Sequence, residues 1–351
     1  MSSERARATV DLGAIERNCA RLAALGPTLC AVVKADAYGH GMVPVAQAAQ
    51  AGGARWVAVA TAAEAAALRA GGIDGPVLVM GAVTNAELEL SIEAGADVVA
   101  WTIDVAEAAP RVHVKLDTGM GRLGTKDRDE ALRLASRPNV VGLMTHFATA
   151  DERGDAYFPA QLEAFSEFVE AVGRDDLVVH AANSAAALRD PAAHFDLVRC
   201  GIAIYGMDPF HEDPGHHDLE PALSLSSWVA AVRRFELGDT AGYGRRWTAP
   251  EPGWVATIPI GYGDGWRRAL SNDCDVLIGG QRRQLVGTIS MDNVTVSLGP
   301  DTGVAVGDPA VLLGAQGEER ILAEEVARRL GTINYEITCG LTPRVPRRHV
   351  R

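Results

Sequence analysis

Two lysines stand where a reactive amine would be useful. Lys34 closes the apolar run LCAVVKA (29–35) and opens into ADAYGHG, while Lys115 lies in VHVKL (112–116), just before DTGMGRLG. A lysine at the end of a buried strand has two outcomes. Desolvation lowers its pKa, so that the neutral amine forms a Schiff base with an aldehyde, or the side chain snorkels to water with its charge intact. A lysine within such a strand is costly unless it is paired or chemically modified. Arg122, among the glycines of the second loop, offers a planar fork suited to a carboxylate. Tyr38, four residues after Lys34, can donate to an anion or simply pack.

Other strand ends carry further polar groups. THFATADE places His146 at one of them, as a structural residue or a catalytic one. ANSAA sets Asn183 and Ser184 at a helix start, which serves both as an N-cap and as an anion site. VRCGIAIYG supplies Arg199, then Gly201 and Ile202, whose backbone N–H groups can face a phosphate. AGYGRRW and GYGDGW hold Tyr243 and Tyr262 between glycines, either as turn residues or as mobile phenols aimed at a neighbouring site.

These groups need a scaffold, and the pattern predicts one. Eight valine-rich apolar runs (29–35, 55–60, 76–80, 96–101, 112–116, 140–144, 177–181 and 196–200) suit strands buried on both faces of a parallel sheet. Helical patterns separate them. Thr61 with Glu64 and Thr84 with Glu87 match the capping box, and Leu162, Phe165, Val169 and Val172 recur at helical spacing before Gly173. Eight such units in about 220 residues is the arithmetic of an α/β fold of (β/α)8, TIM-like type, favoured over a doubly wound open sheet. IDVAEAAP (103–110) leaves room for barely two turns of helix in the fourth crossover. DPFHEDPGHHDLEP (208–221) reads as a boundary, dividing a barrel over 1–218 from a mostly-β domain over 219–351 that carries one helix at about 323–330.

The chain has 351 residues, 33 basic against 45 acidic, for a net charge of −12, and 48% of its residues are hydrophobic. That balance argues against nucleic acid as a partner. No apolar stretch approaches the roughly 18 residues of a spanning helix, and the polar start MSSERARATVDL has no signal-type apolar region. Five scattered cysteines encode neither a disulfide framework nor a zinc site, and a reducing cytoplasm is expected. His211, His216 and His217 could ligate a metal, but the proline and glycine around them favour a flexible linker, so no metal is expected.

VVKADAYGHG, HVKLDTGMGRLG, THFATADE, ANSAA, VRCGIAIYG, GYGDGW and GTISMDN follow one another in an order that resembles the bacterial alanine racemases, from about residue 7 to RVPRR. The resemblance implies a pyridoxal 5′-phosphate (PLP) barrel followed by a β domain, and racemisation of alanine by two bases, supplying D-alanine for peptidoglycan. It assigns Lys34 to the PLP-bearing lysine and Tyr38, Ser184, Gly201 and Ile202, with neighbouring Asn183, to the cofactor site. Arg199 faces the pyridine nitrogen and His146 joins its network. Arg122 and the Met291 backbone match the substrate-carboxylate site, and Lys115 matches a lysine that is often carbamylated in such enzymes and steadies that arginine. Tyr243 is the second base, reaching the other subunit of a head-to-tail homodimer with shared sites, and Tyr262 stands at the entry. Pro343, immediately before RVPRR, offers no hydroxyl to the phosphate. A racemase for serine or a broader substrate set, a PLP-dependent decarboxylase and a non-catalytic PLP-holding protein are the alternatives.

Overall fold

The computed structural model describes residues 4–300 and 303–351, so the first three residues of the domain expected over 1–218 lie outside the described residues. Each of the eight valine-rich runs forms a strand. Numbering from the N-terminal strand β1 (Arg7–Asp11), they are β2 (Thr28–Val32), β3 (Trp56–Val59), β4 (Val77–Val79), β5 (Asp97–Ala100), β6 (Val112–Lys115), β7 (Val140–Met144), β8 (Val178–His180) and β9 (Leu197–Cys200). They pair in parallel from β8 through β7, β6, β5, β4, β3 and β2 to β9. Backbone bonds from Asp196 N–H to the Val179 carbonyl (3.0 Å) and from Arg199 N–H to the Ala182 carbonyl (2.9 Å) bring β9 back towards β8. The result is a nearly closed barrel, and its C-terminal rim gathers the loops where such folds place chemistry.

Local signals set the helices between the strands. Thr61 and Glu64 cap Ala62–Ala70 reciprocally, as Thr84 and Glu87 do for Asn85–Glu93. Gly173 closes Tyr157–Val172 in the left-handed conformation. The fourth crossover is the six-residue helix Ile103–Ala108, as short as its sequence requires.

The second unit is built on an antiparallel sheet, and it corrects the expected boundary. Strand β1 does not belong to the barrel. It pairs antiparallel with Leu223–Trp228 and parallel with Arg347–Val350, so residues up to Leu12 group with the β unit. The reason lies in its burial, which alternates along Arg7–Asp11 as on a half-solvated sheet, whereas the barrel strands are buried almost throughout. The sheet continues from Leu223–Trp228 through Pro309–Gln316, Asp275–Ile278, Gln281–Val286, Val294–Gly299 and Gly253–Ile258 to Ala231–Phe235. Leu225, Ile258, Val276, Leu285, Val296 and Leu312 are fully buried in its core. The boundary segment is also more ordered than its composition suggests. Asp208 is buried and bonds His217 Nδ1 at 2.7 Å, which ties Gly215–Glu220 to the barrel while His211–Pro214 groups with the β unit.

Candidate active site

Lys34 does not sit in β2; it lies two residues beyond the strand end, where the chain makes an unusual turn. Ala35, Asp36, Ala37 and Tyr38 all have φ between 51° and 53°, forming a single turn of left-handed helix from non-glycine residues. Such a turn costs roughly 1–2 kcal/mol per residue and needs its surroundings to hold it. The Glu64 carboxylate does so, accepting from Ala35 N–H at 2.7 Å with one oxygen while the other accepts from Ala60 N–H at 2.8 Å and Thr61 N–H at 3.1 Å. Asp36 Oδ1 accepts from Met42 N–H at 2.8 Å, and Ala37 N–H reaches back to the Val33 carbonyl. Lys34 is thereby held half-buried at the barrel mouth by a carboxylate from the neighbouring crossover.

The turn delivers Tyr38, whose ring stacks on buried Tyr205 with centroids 4.9 Å apart. Its hydroxyl occupies the space a side chain at position 201 would need. A Cβ on Gly201 would come within 2.5 Å of the Tyr38 oxygen, so any side chain there would push the phenol aside. Gly201 N–H and Ala203 N–H both donate to the buried Ser184 hydroxyl, at 3.0 and 3.3 Å, and Ile202 is buried between them. Asn183 is occupied as the N-cap of Ser184–Arg189, its oxygen accepting from Ala186 N–H at 2.9 Å.

Arg199, in β9, is buried at the centre of this group. Its guanidinium donates to the Thr145 and Ala181 carbonyls (2.9 Å each), to His146 Nδ1 (3.3 Å) and to His180 Nδ1 (2.8 Å). Burial lowers its pKa to about 10, which leaves it protonated at neutral pH. Lys115, at the end of β6, is also buried. Loss of solvent first, and then the charges of Arg199, Arg122 and Lys34, lower its pKa to about 8, against the opposing effect of Asp117. Burial and the same cations hold His146 well below the usual imidazole range. Lys34, Lys115, Arg122, His146 and Arg199 thus act on one another at one rim, as their sequence positions predicted, with Arg122 exposed in its glycine loop.

In the β unit, Tyr243, Tyr262 and Met291 come together along one series of loops. Tyr243 is 71% exposed, and its carbonyl accepts from the Thr288 hydroxyl at 2.7 Å. Tyr262 N–H bonds the Ser290 carbonyl at 3.1 Å and Gly263 N–H the Met291 carbonyl at 2.9 Å, so GYGDGW and GTISMDN are laced together through backbone. Thr342, just before Pro343, joins them by donating to the Gly263 carbonyl at 2.9 Å.

Glu64 was read from the sequence only as half of a capping box, and the buried trio Asp97, His113 and His180 was not singled out. A signal existed for the latter. A histidine in VHVKL and another in LVVHA interrupt runs that are otherwise apolar, and His113 shares the face of Lys115 two residues on.

A barrel that holds an amine and a buried guanidinium at one rim, followed by a β unit presenting exposed tyrosines, is the arrangement that the resemblance to PLP-dependent racemases implied. Residues 10–209 match the N-terminal domain of alanine racemase and residues 222–349 its C-terminal domain. An alanine racemase from Geobacillus stearothermophilus is 43% identical, covering 98% of this chain and 94% of its own, and one from Symbiobacterium thermophilum is 41% identical over 97% and 96%. Among solved structures, the alanine racemase of a D-cycloserine-producing Streptomyces lavendulae superposes with a TM-score of 0.93 at 37% identity, covering all of this chain and 98% of that one. The Bacillus anthracis alanine racemase with bound L-Ala-P gives 0.91, also at 37% identity, over all of this chain and 96% of that one. The chain belongs to the alanine racemase family. Its activity is racemisation of alanine, an isomerase reaction that depends on PLP.

The residues present fit that cofactor. The Tyr38 phenol lies close against Gly201, whose N–H bonds the buried Ser184 hydroxyl, a set of small polar groups that would suit a phosphate, and Lys34 would supply the amine.

Proposed function

We propose that Lys34 and Tyr243 are the two bases of this racemase and that each active site is completed by a second copy of the chain in a head-to-tail homodimer. Lys34, Tyr38, Ser184, Gly201, Ile202 and Arg199 hold PLP, with His146 and Asn183 supporting them. Arg122 and the Met291 backbone hold the alanine carboxylate beside Tyr262. When bound, PLP makes the α-proton acidic by delocalising the electron pair left on the α-carbon. Inversion then needs one group to take the proton from one face and another to return a proton to the opposite face. Lys34 serves one face. Tyr243 serves the other face with its phenol, which takes or returns the proton there. Arg199 keeps its proton at neutral pH, so it would hydrogen-bond the ring nitrogen without protonating it as a carboxylic acid would, and that would favour return of the proton to the α-carbon over transamination.

The observation that carries this reading is the gathering of Lys34, Lys115, Arg122, His146 and Arg199 at one barrel rim. Exposure of Tyr243 on its own unit supports a role towards another subunit. Among the described residues no helix is long and apolar enough to cross a membrane. A cytoplasmic enzyme supplying D-alanine for peptidoglycan is consistent with that. The test is chiral analysis of L-alanine incubated with the protein and PLP. Conversion to the racemate by the wild type and none by Lys34→Ala is expected. Release of carbon dioxide, or racemisation of serine in preference to alanine, would overturn the assignment.

A further inference from the structure

A line of buried polar groups crosses the barrel interior below Arg199. Arg199 Nη1 meets His180 Nδ1 at 2.8 Å, His180 Nε2 meets His113 Nδ1 at 2.8 Å, and His113 Nε2 meets Asp97 Oδ2 at 3.2 Å. Asp97, at the start of β5, is in turn paired with Arg111 at 2.6 and 3.1 Å near the opposite rim. Both imidazoles are fully buried, and Asp97 is 4% exposed.

The two ends fix the direction of every bond. Arginine can only donate and a carboxylate can only accept. His180 Nδ1 must therefore be bare, its Nε2 must carry the proton that it donates to His113 Nδ1, and His113 Nε2 must donate to Asp97. Adding a proton to either ring sets two donors face to face, so both histidines are locked neutral in one tautomer. Burial is the main effect depressing both pKa values: around His113, Arg111 and Arg199 add to it while Asp97 opposes it, with the Trp56 ring alongside, and around His180 the charges of Arg199, His113 and Lys115 all add to it.

The barrel also makes room for this arrangement. A Cβ on Gly142, in β7, would lie 2.2 Å from His113 Nδ1, the very atom that accepts from His180. A glycine in the middle of a strand is unfavourable by roughly 0.5–1 kcal/mol relative to alanine, and here the ring takes the space.

We propose that Asp97, His113 and His180 are positioning residues for racemisation: a one-way hydrogen-bonded relay that orients the Arg199 guanidinium and couples it to a buried negative charge. Networks of this kind rigidify a site when every member is satisfied. The proposal rests on the reading that Arg199 serves the cofactor ring nitrogen, and two measurements separate the two ideas.

In the holoenzyme labelled with 15N-histidine, the resonances assigned to positions 113 and 180 by loss in His113→Gln and His180→Gln are expected to report neutral, Nε2-protonated rings from about pH 5 to 8, where free imidazoles titrate. Titration of either ring in that window overturns the relay, with no dependence on activity. For function, His180→Phe is expected to lower kcat about tenfold or more by releasing Arg199, with KM for alanine within about twofold because Arg122 is untouched. His180→Gln, which keeps an acceptor and a donor, is expected to recover part of the loss. Locked rings together with a normal kcat in His180→Phe would overturn the positioning role. A normal kcat in Arg199→Lys would instead overturn the reading of Arg199 and leave the relay standing.

Discussion

Burial decides how each cation at the barrel mouth behaves. Arg199 keeps its proton at neutral pH despite a lowered pKa, so it holds position and donates. Lys115 does not keep its proton so firmly. With a pKa of about 8, roughly a tenth of it is neutral at pH 7, whereas an amine with the ordinary value near 10.5 would be neutral in well under a thousandth of molecules. A neutral amine adds carbon dioxide, forming an N–C bond and releasing a proton to solvent, and the product is an anion placed among Arg122, Arg199 and Lys34. We expect holoenzyme equilibrated with 13C-bicarbonate to show a carbamate carbon resonance that weakens as pH falls from 8 to 6 and is missing in Lys115→Ala. The same resonance surviving in that variant would refute the assignment. Most of the rim residues were legible in the sequence because they stand in long, unusual motifs at strand ends. The relay was less visible, because a buried histidine declares its partner only once the strands are closed into a barrel.

Among the elements, the left-handed turn after Lys34 was the least legible. Nothing in ADAYG announces four consecutive positive φ angles, since alanine, aspartate and tyrosine all disfavour them. The turn exists because Glu64, read from sequence simply as half of a capping box, also reaches across to Ala35. This dual role makes a prediction. Glu64→Ala should destabilise the protein by about 2 kcal/mol in urea unfolding, through loss of backbone partners, and should also weaken PLP retention, whereas Thr61→Ala should cost about 1 kcal/mol and leave retention unchanged. Equal retention in the two variants would mean that the turn holds itself. The barrel strands, by contrast, were legible nearly to the residue, because strands buried on both faces must be apolar throughout. Strand β1 was missed since its partners, Leu223–Trp228 and Arg347–Val350, are hundreds of residues away, and local pattern carries no record of them.

At the scale of the whole molecule, the two bases we propose come from different units of the chain, Lys34 from the barrel and Tyr243 from the β unit. If the site is shared in a head-to-tail dimer, two inactive variants can complement each other. Mixing Lys34→Ala with Tyr243→Phe under conditions of subunit exchange should yield up to about a quarter of wild-type activity, since half the dimers are hybrids and each hybrid has one intact site of two. No recovery despite demonstrated exchange would place both bases in one subunit. The division of labour between the bases is tested most directly by following deuterium from heavy water into the α-position of L- and D-alanine with Tyr243→Phe. The account predicts that one enantiomer exchanges at close to the wild-type rate while exchange of the other falls by about a hundredfold. Near-normal exchange from both enantiomers would contradict it.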